Sequence, residues 1–493
     1  MSGIHKKAPL RERRASTSAA DLIERMGFGW AQWKVVIGGG GSKLADGAEL
    51  LLLGSVTRAV AVEWHLDPWQ KGIVVSVVFV GVLIGNLMGG VIGDKMGRRL
   101  PILVSYVGIC LFSLLSVMAT GFYSIACIRF CVGVSFGVSA PAFNTLCGEM
   151  APSKYRVQLN AMGQLLFAAG EFYSAFLIWL QDPLMIDLNW RALICMGAIP
   201  SFVFLVLALC ILPESPSFLM VSGSHREAKL VLADMRRSNS AVDVDIDAVA
   251  LEWPEAPVQR RPSVSIQDKL GIVLGRHLLY STLVTCVSVF TLNFLFYGGL
   301  YAFPQVLPDL KLRVTPSANL MLGALVEVPG FLAGIVIGNY LSRKNCMLVY
   351  LLSVIVFLCI FSFTSTSISG NFSAEFEALL QVGLIGSKLF TAVGFLIVYV
   401  YTTEIYPTIV RTMGGALCIA FGRFGSIVAP SVYENLAFAT GSHAAFFHVT
   451  AGLCALNAIL VLFLPYETKG QILQDHIEEA QPLSAKPIVC KMP

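Results

Sequence analysis

A chain of 493 residues in which 56% are hydrophobic and only 13% charged carries about half the charge of a soluble domain, where roughly 25% is usual. That excludes a water-exposed globular surface and makes lipid the main solvent. The net charge of +4 excludes little, because in a membrane protein the placement of Lys and Arg outweighs their sum.

In chain order, residues 1–34 read as a cytoplasmic segment: MSGIHKKAPLRERRAS has no apolar region of the kind a cleaved signal carries, so the first apolar helix is the expected insertion signal. A helix needs about 20 apolar residues to cross the hydrocarbon. Twelve stretches qualify, near 35–61, 72–93, 100–120, 124–147, 159–181, 191–212, 277–303, 317–340, 346–366, 378–402, 413–436 and 443–465. Six form an N-terminal bundle over 35–213 and six a C-terminal bundle over 277–465; a polar central loop over 214–276 divides them, and a cytoplasmic tail over 466–493 follows. The central loop carries Asp243, Asp245, Asp247, Trp253-Pro254 and Arg260-Arg261-Pro262-Ser263, with a helical piece around His225–Arg237. The expected fold is an all-α integral membrane protein of twelve helices in two pseudo-symmetric six-helix bundles.

Lys6, Lys7, Arg11, Arg13, Arg14, Lys95, Arg98, Arg99, Lys154, Arg156, Arg226, Lys229, Arg236, Arg237, Arg343, Lys344 and Arg411 all fall on one face of this arrangement. The bias of basic residues towards the inside makes that face cytoplasmic, with both termini on it. The sequon Asn371-Phe372-Ser373 falls in a loop on the outer face, compatible with the cell surface or an endomembrane. The cysteines, among them Cys110, Cys127, Cys195 and Cys286, are scattered singly and read as small buried hydrophobes.

Charges inside apolar helices carry the functional signal. Asp46 and Glu49 lie three apart in the first helix, so both project from one face about a turn apart. A charged carboxyl in the bilayer is costly unless it faces a cavity, pairs or takes a proton, and a like charge nearby adds to that cost, which is what proton coupling requires. The alternatives are that Asp46 caps a helix break at the Gly38–Gly41 run and that Glu49 pairs with a cation. Arg423, well inside the eleventh helix, offers a forked and permanently charged donor for a carboxylate; the alternative is a structural pair with Glu171 or Glu327. Arg129 and Lys388 occupy similar places in the fourth and tenth helices, and snorkelling to the outer interface would also account for both. Phe143, Phe172, Tyr173, Phe296, Tyr297, Tyr301 and Tyr399 are candidates to line a pocket for a flat ring.

The two bundles end alike. Glu149-Met150-Ala151-Pro152-Ser153-Lys154-Tyr155-Arg156 and Glu404-Ile405-Tyr406-Pro407-Thr408-Ile409-Val410-Arg411 both spell Glu, two residues, Pro, three residues, Arg. Leu212-Pro213-Glu214 and Leu464-Pro465-Tyr466-Glu467 then close each half with Leu-Pro and an acid. Together with Gly93-Asp94-Lys95-Met96-Gly97-Arg98-Arg99, which resembles the G-D-x-x-G-R-R loop of the major facilitator superfamily, these motifs make nearly the whole chain similar to that family. Tyr399 to Thr408 and Pro465 to Gly470 resemble the organic ion transporters, the synaptic vesicle two-related proteins and the bacterial metabolite:proton symporters; Asp46-Gly47-Ala48-Glu49 resembles motifs of the last two branches. Only about ten residues separate Ala61 from Gly72, where animal organic ion transporters have a long outer loop, so the vesicle-related and metabolite:proton branches fit better. Tyr340-Leu341-Ser342-Arg343-Lys344-Asn345 departs from the loop motif by lacking its Asp.

The resemblance implies a major facilitator fold and several roles. Asp94, Arg98, Glu149, Arg156, Glu404 and Arg411 are implied to form a gating network where the halves meet, Arg129 to join Asp46 and Glu49 in proton coupling, and Arg423 to mark an anion carrier. No metal, cofactor or nucleic acid is expected. Gly38 to Lys43 lacks the spacing and the preceding strand of a phosphate loop, and the dispersed histidines give no catalytic cluster. The expected function is secondary active transport of a small organic acid with proton symport, by a monomer in the plasma membrane or an endomembrane vesicle. Proton-independent uniport or exchange of an organic ion and a receptor or trafficking role on a transporter fold are the alternatives.

Overall fold

The computed structural model describes residues 19–241, 244, 266–310, 312–366, 374–407, 410–465 and 467–469. The sequon at Asn371, the basic residues from Lys6 to Arg14, and Asp243, Asp245, Asp247 and Arg260-Arg261 lie outside them. Twelve long helices organise the described chain: α1 Trp30–Trp64, α2 Pro68–Met96, α3 Arg99–Val117, α4 Phe122–Met150, α5 Arg156–Gln181, α6 Trp190–Ile211, α7 Leu279–Val306, α8 Pro316–Tyr340, α9 Arg343–Thr366, α10 Ala374–Glu404, α11 Arg411–Thr440 and α12 Ala444–Leu462. Most outrun the apolar stretches that announce them, because polar turns at both ends continue the helix past the hydrocarbon. Eleven are long and apolar enough to cross a membrane; α1 is the twelfth, long enough at 35 residues but burdened with Lys43, Asp46, Glu49 and Arg58. Such charges inside a spanning helix have to be answered by neighbours.

Local chemistry sets the helix ends. Asp67 caps α2, with Pro68 in the first turn and the Gln70 side chain accepting from the Asp67 N–H at 3.0 Å. Gly441, at φ 63, ends α11 in the left-handed conformation that glycine adopts without penalty. The short helices Ala19–Met26, Pro216–Val221 and His225–Ser238 gather at the end of the bundle where α2 gives way to α3, here called the basic end. Glu24 accepts from the N–H and hydroxyl of Ser153 there, which holds its carboxyl below the usual carboxylate range.

The first six long helices pack mainly among themselves, as do the last six, and the halves meet where α2 lies along α11, α5 along α8 and α1 along α7. Lipid gives no hydrophobic drive for helix association, so small residues that let backbones approach do this work. Gly81, Gly85 and Gly89 on α2 face Gly133 and Gly137 on α4: a Cβ at Gly133 would sit 2.0 Å from the Val78 carbonyl oxygen. Gly38 to Gly41 does not break α1; the ring of Phe143 covers Gly39 and Gly40, Phe204 covers Gly41, and Tyr106 donates to the Gly38 carbonyl at 2.9 Å. Cys286 is buried as expected, whereas Cys127 and Cys195 are exposed on the outside of the bundle.

Gly133→Val should force α4 off α2 and destabilise the fold by at least about 1–3 kcal/mol, seen as a lower melting temperature and a smaller monodisperse fraction in detergent. Gly90→Ala, with no atom within 4 Å of the added carbon, should leave both unchanged.

Candidate functional site

Three layers of charge occupy the bundle. At mid-depth, between the halves, α1 presents Lys43 and Asp46, α7 presents Asn293 and Tyr297, α10 Tyr399 and α11 Arg423. Lys43 Nζ lies 3.9 Å from Asp46 Oδ2, while Asp46 Oδ1 is buried without a hydrogen-bond partner. Arg423 donates to the Tyr297 hydroxyl at 3.2 Å, with its guanidinium 5.7 Å from that ring's centroid, and its Nε is buried and unpartnered. Its charge acts on both Lys43 and Asp46 from across the gap between the halves. Asn293 donates to the Tyr399 hydroxyl at 3.4 Å and leaves its own carbonyl oxygen unsatisfied. Phe395 stacks on Tyr399 at 5.4 Å, and Phe79 from the first half tilts against Tyr297 at 5.0 Å. Two cations, one carboxylate, three unpartnered polar atoms and an aromatic wall thus converge on one place.

Nearer the end opposite the basic one, the far end, Glu49 is not a bare like charge beside Asp46. Arg129 Nη1 lies 2.8 Å from its Oε2 and Ser113 donates to its Oε1 at 2.7 Å, all fully buried. The alternative that Arg129 snorkels does not hold for the same reason: a partner at depth removes the need to reach water. Lys388 does not snorkel either. It sits halfway along α10, 2.7 Å from Glu327 Oε1 on α8 and 3.1 Å from Glu171 Oε2 on α5, so those two acids serve Lys388 and not Arg423. Further contacts seal the halves towards the far end. Arg58 reaches the Gln305 carbonyl and Asp309, Gln305 donates to the Gly54 carbonyl, Ser76 donates to the Ile427 carbonyl, and Lys71 lies 3.8 Å from Glu434.

The basic end carries the same construction twice. In the first half Arg98 reaches Glu149 at 3.1 Å and the Gly93 carbonyl at 2.8 Å, while Glu214 accepts from the backbone N–H groups of Arg98 and Arg99. In the second half Arg343 grips Glu404 at 3.0 and 2.9 Å and the Gly338 carbonyl at 2.9 Å, while Glu467 accepts from the N–H groups of Arg343 and Lys344. Each acid from the Leu-Pro endings therefore sits at a helix N-terminus, where unpaired N–H groups and the helix dipole favour negative charge. These pairs lie within a half. Asp94 is 82% exposed and 3.7 Å from Arg98; Arg156 and Arg411 point towards the carbonyls of Ala151 and Tyr406.

Of the expected pocket residues, Tyr297, Tyr399 and Arg423 come together. Phe143 does not: it is fully buried in the core of the first half, against glycines of α1 and α5. Phe172 is half-buried next to Glu171 on α5. Lys43 and Asn293 were missed; Lys43 three residues before Asp46, on the same helical face, was the available signal.

Glu49→Ala would strand the Arg129 charge in the core, and breaking a buried pair costs about 3–5 kcal/mol. The melting temperature should fall sharply, as it should for Glu49→Gln or Arg129→Gln alone, and combining those two glutamine substitutions should recover part of the loss in the double-mutant cycle they form with wild type.

The family described as "Sugar (and other) transporter" matches residues 45–480. Synaptic vesicle 2-related protein from Xenopus laevis is 28% identical over 466 residues, covering 92% of this chain and 82% of that protein. Organic cation/carnitine transporter 7 from Arabidopsis thaliana is 27% identical over 503 residues, covering 94% and 96%. The partially occluded inward open conformation of the xylose transporter XylE from E. coli superposes with a TM-score of 0.70 at 17% identity, covering 90% of this chain and 100% of that one.

Proposed function

The chain belongs to the sugar (and other) transporter family of the major facilitator superfamily, a multi-pass membrane transporter and not an enzyme, and on that premise we propose that it carries a small carboxylate with proton symport. The observation that carries the reading is Arg423: a guanidinium at mid-depth which, among the described residues, has no carboxylate within ion-pair reach and whose Nε is unpartnered. An uncompensated cation there is costly unless a ligand answers it. Lys43 doubles the positive charge while Asp46 offsets only part of it, so the site favours an anion over the sugars and organic cations in relatives' names. The planar fork of Arg423 suits a carboxylate, and Tyr297, Tyr399 and Phe395 offer faces to an unsaturated or ring-bearing body.

Asp46 serves as the proton carrier. With Oδ1 unpartnered and Lys43 at the far limit of ion pairing, its charge is weakly met, which favours uptake of a proton at this buried carboxyl. Glu49 and Arg129 brace α1 against α4 beside it. Contacts between the halves concentrate from mid-depth to the far end, which supports a conformer open towards the basic end. That end faces the cytoplasm with both termini. The halves, 35–213 and 277–465, rock around the central site, and in the reverse conformer the exposed Asp94 closes the basic end. The protein acts as a monomer in the plasma membrane or an endomembrane vesicle.

Arg423→Ala should weaken carboxylate binding by the order of 2–5 kcal/mol, and Arg423→Lys should rescue it only in part, for want of the fork. Calorimetry with a panel of carboxylates, quaternary amines and hexoses tests this; binding of a hexose unaffected by either substitution would refute the anion reading. Asp46→Asn should lose uphill accumulation under an inward proton gradient yet retain exchange of labelled for unlabelled substrate in proteoliposomes. Full accumulation by that variant would remove the coupling role.

A further inference from the structure

The mechanism above makes no use of the cluster at Lys388, and its stoichiometry is odd. One ammonium serves two carboxylates: Glu327 at 2.7 Å from α8 and Glu171 at 3.1 Å from α5. All three side chains are nine-tenths buried or more, and the outer oxygens, Glu171 Oε1 and Glu327 Oε2, have no hydrogen-bond partner. They sit about halfway along their helices. Among the described residues, no further charge joins them. The ring of Phe296 on α7 covers the ammonium at 5.3 Å, and the acids of α1, which packs along α5, lie beside other bases: Asp46 3.9 Å from Lys43, Glu49 on Arg129 and Glu63 on Arg191. Taken as ionised, the cluster would bury one net negative charge in the driest part of the molecule, which a protein avoids by protonation when two carboxyls share a site.

We propose that Glu171 and Glu327 share one exchangeable proton above Lys388, and that this is a second proton-binding site, separate from Asp46, that locks the far end shut. The cluster spans the divide, since Glu171 belongs to the first half and Glu327 and Lys388 to the second. When the far end opens, α5 parts from α8. The second half keeps a neutral Lys388–Glu327 pair, and Glu171, left alone at the opened crevice, releases its proton to the far-side water as Glu171–COOH becomes Glu171–COO⁻ and H⁺. Closing reverses the step: the proton must return before Glu171 can rejoin an ammonium already paired. Protonation and far-end closure are then two readings of one equilibrium.

Two measurements on the full-length protein in nanodiscs, without substrate, test this independently of the transport reading. The first is infrared titration. Wild type should show a protonated-carboxyl absorption that persists at neutral pH, and both Glu171→Gln and Glu327→Gln should abolish it, because one acid facing one ammonium needs no proton. Asp46→Asn should retain it, so a band lost only in that variant would belong to the central site and overturn the proposal. Its absence from wild type, or its displacement by sodium in place of a proton, would also overturn it, the latter showing a metal cation site. The second measurement is the reactivity of Ser76→Cys, at the seam of α2 and α11, towards a membrane-impermeant maleimide, with Cys127, Cys195 and Cys210 replaced. One linked proton changes the open-to-closed ratio by up to about tenfold per pH unit, so reactivity should climb as pH rises. Glu171→Gln should hold it low at every pH. If one glutamine variant fails to fold, the other reports on the same proton, and an unaltered pH slope in either refutes the lock.

Discussion

Charge in hydrocarbon has to find an opposite charge or a proton, and that constraint orders the interior of this transporter. Along the bundle, acids and bases on different helices answer one another: Arg129 with Glu49, Lys388 with Glu171 and Glu327, Lys71 with Glu434. Each pair fixes the depth and rotation of two helices that lipid alone would leave free to slide, while the glycine rows of α2 and α4 supply the close approach. Packing glues the helices and charge registers them. The exception, Arg423 facing Lys43 and a half-met Asp46, stands out because everything around it obeys the rule.

Pairing within a half and pairing across the halves do different things. Glu49 with Arg129 ties α1 to α4 in one bundle and can persist through any rocking of the two bundles. Lys71 with Glu434, Arg58 with Asp309 and Lys388 with Glu171 join opposite bundles and must part when the far end opens. The far end is thus held by contacts across the bundles and the first bundle by contacts within it.

Much of this was legible in the sequence. Hydrophobic stretches of membrane length announced twelve helices, and the doubled Glu-x-x-Pro-x-x-x-Arg and Leu-Pro-acid endings announced a duplicated architecture. Arg423, Tyr297 and Tyr399 were recognisable because a cation and two phenols in apolar helices have few uses other than one another or a solute. Pairings were not legible, since which helix faces which is a matter of packing: Glu171 and Glu327 were weighed only as alternative partners for Arg423, and the adjacency of α5, α8 and α10 gives them to Lys388. Phe143 was misread because an aromatic on a spanning helix gives no sign of whether a glycine groove or a cavity receives it. The lost Asp of the second loop motif was likewise uninformative, as Arg343 reaches Glu404 without it.

The duplicated clasp at the basic end has a mechanical consequence. Arg98 with Glu149 and Glu214, and Arg343 with Glu404 and Glu467, each bind three helix ends of one bundle into a stiff corner. A bundle stiffened in this way behaves as a lever: a slight tilt about a fulcrum at mid-depth becomes a displacement several times larger at its tips, with little lost to bending. Because the two corners are built from the same contacts, the two bundles are stiffened alike.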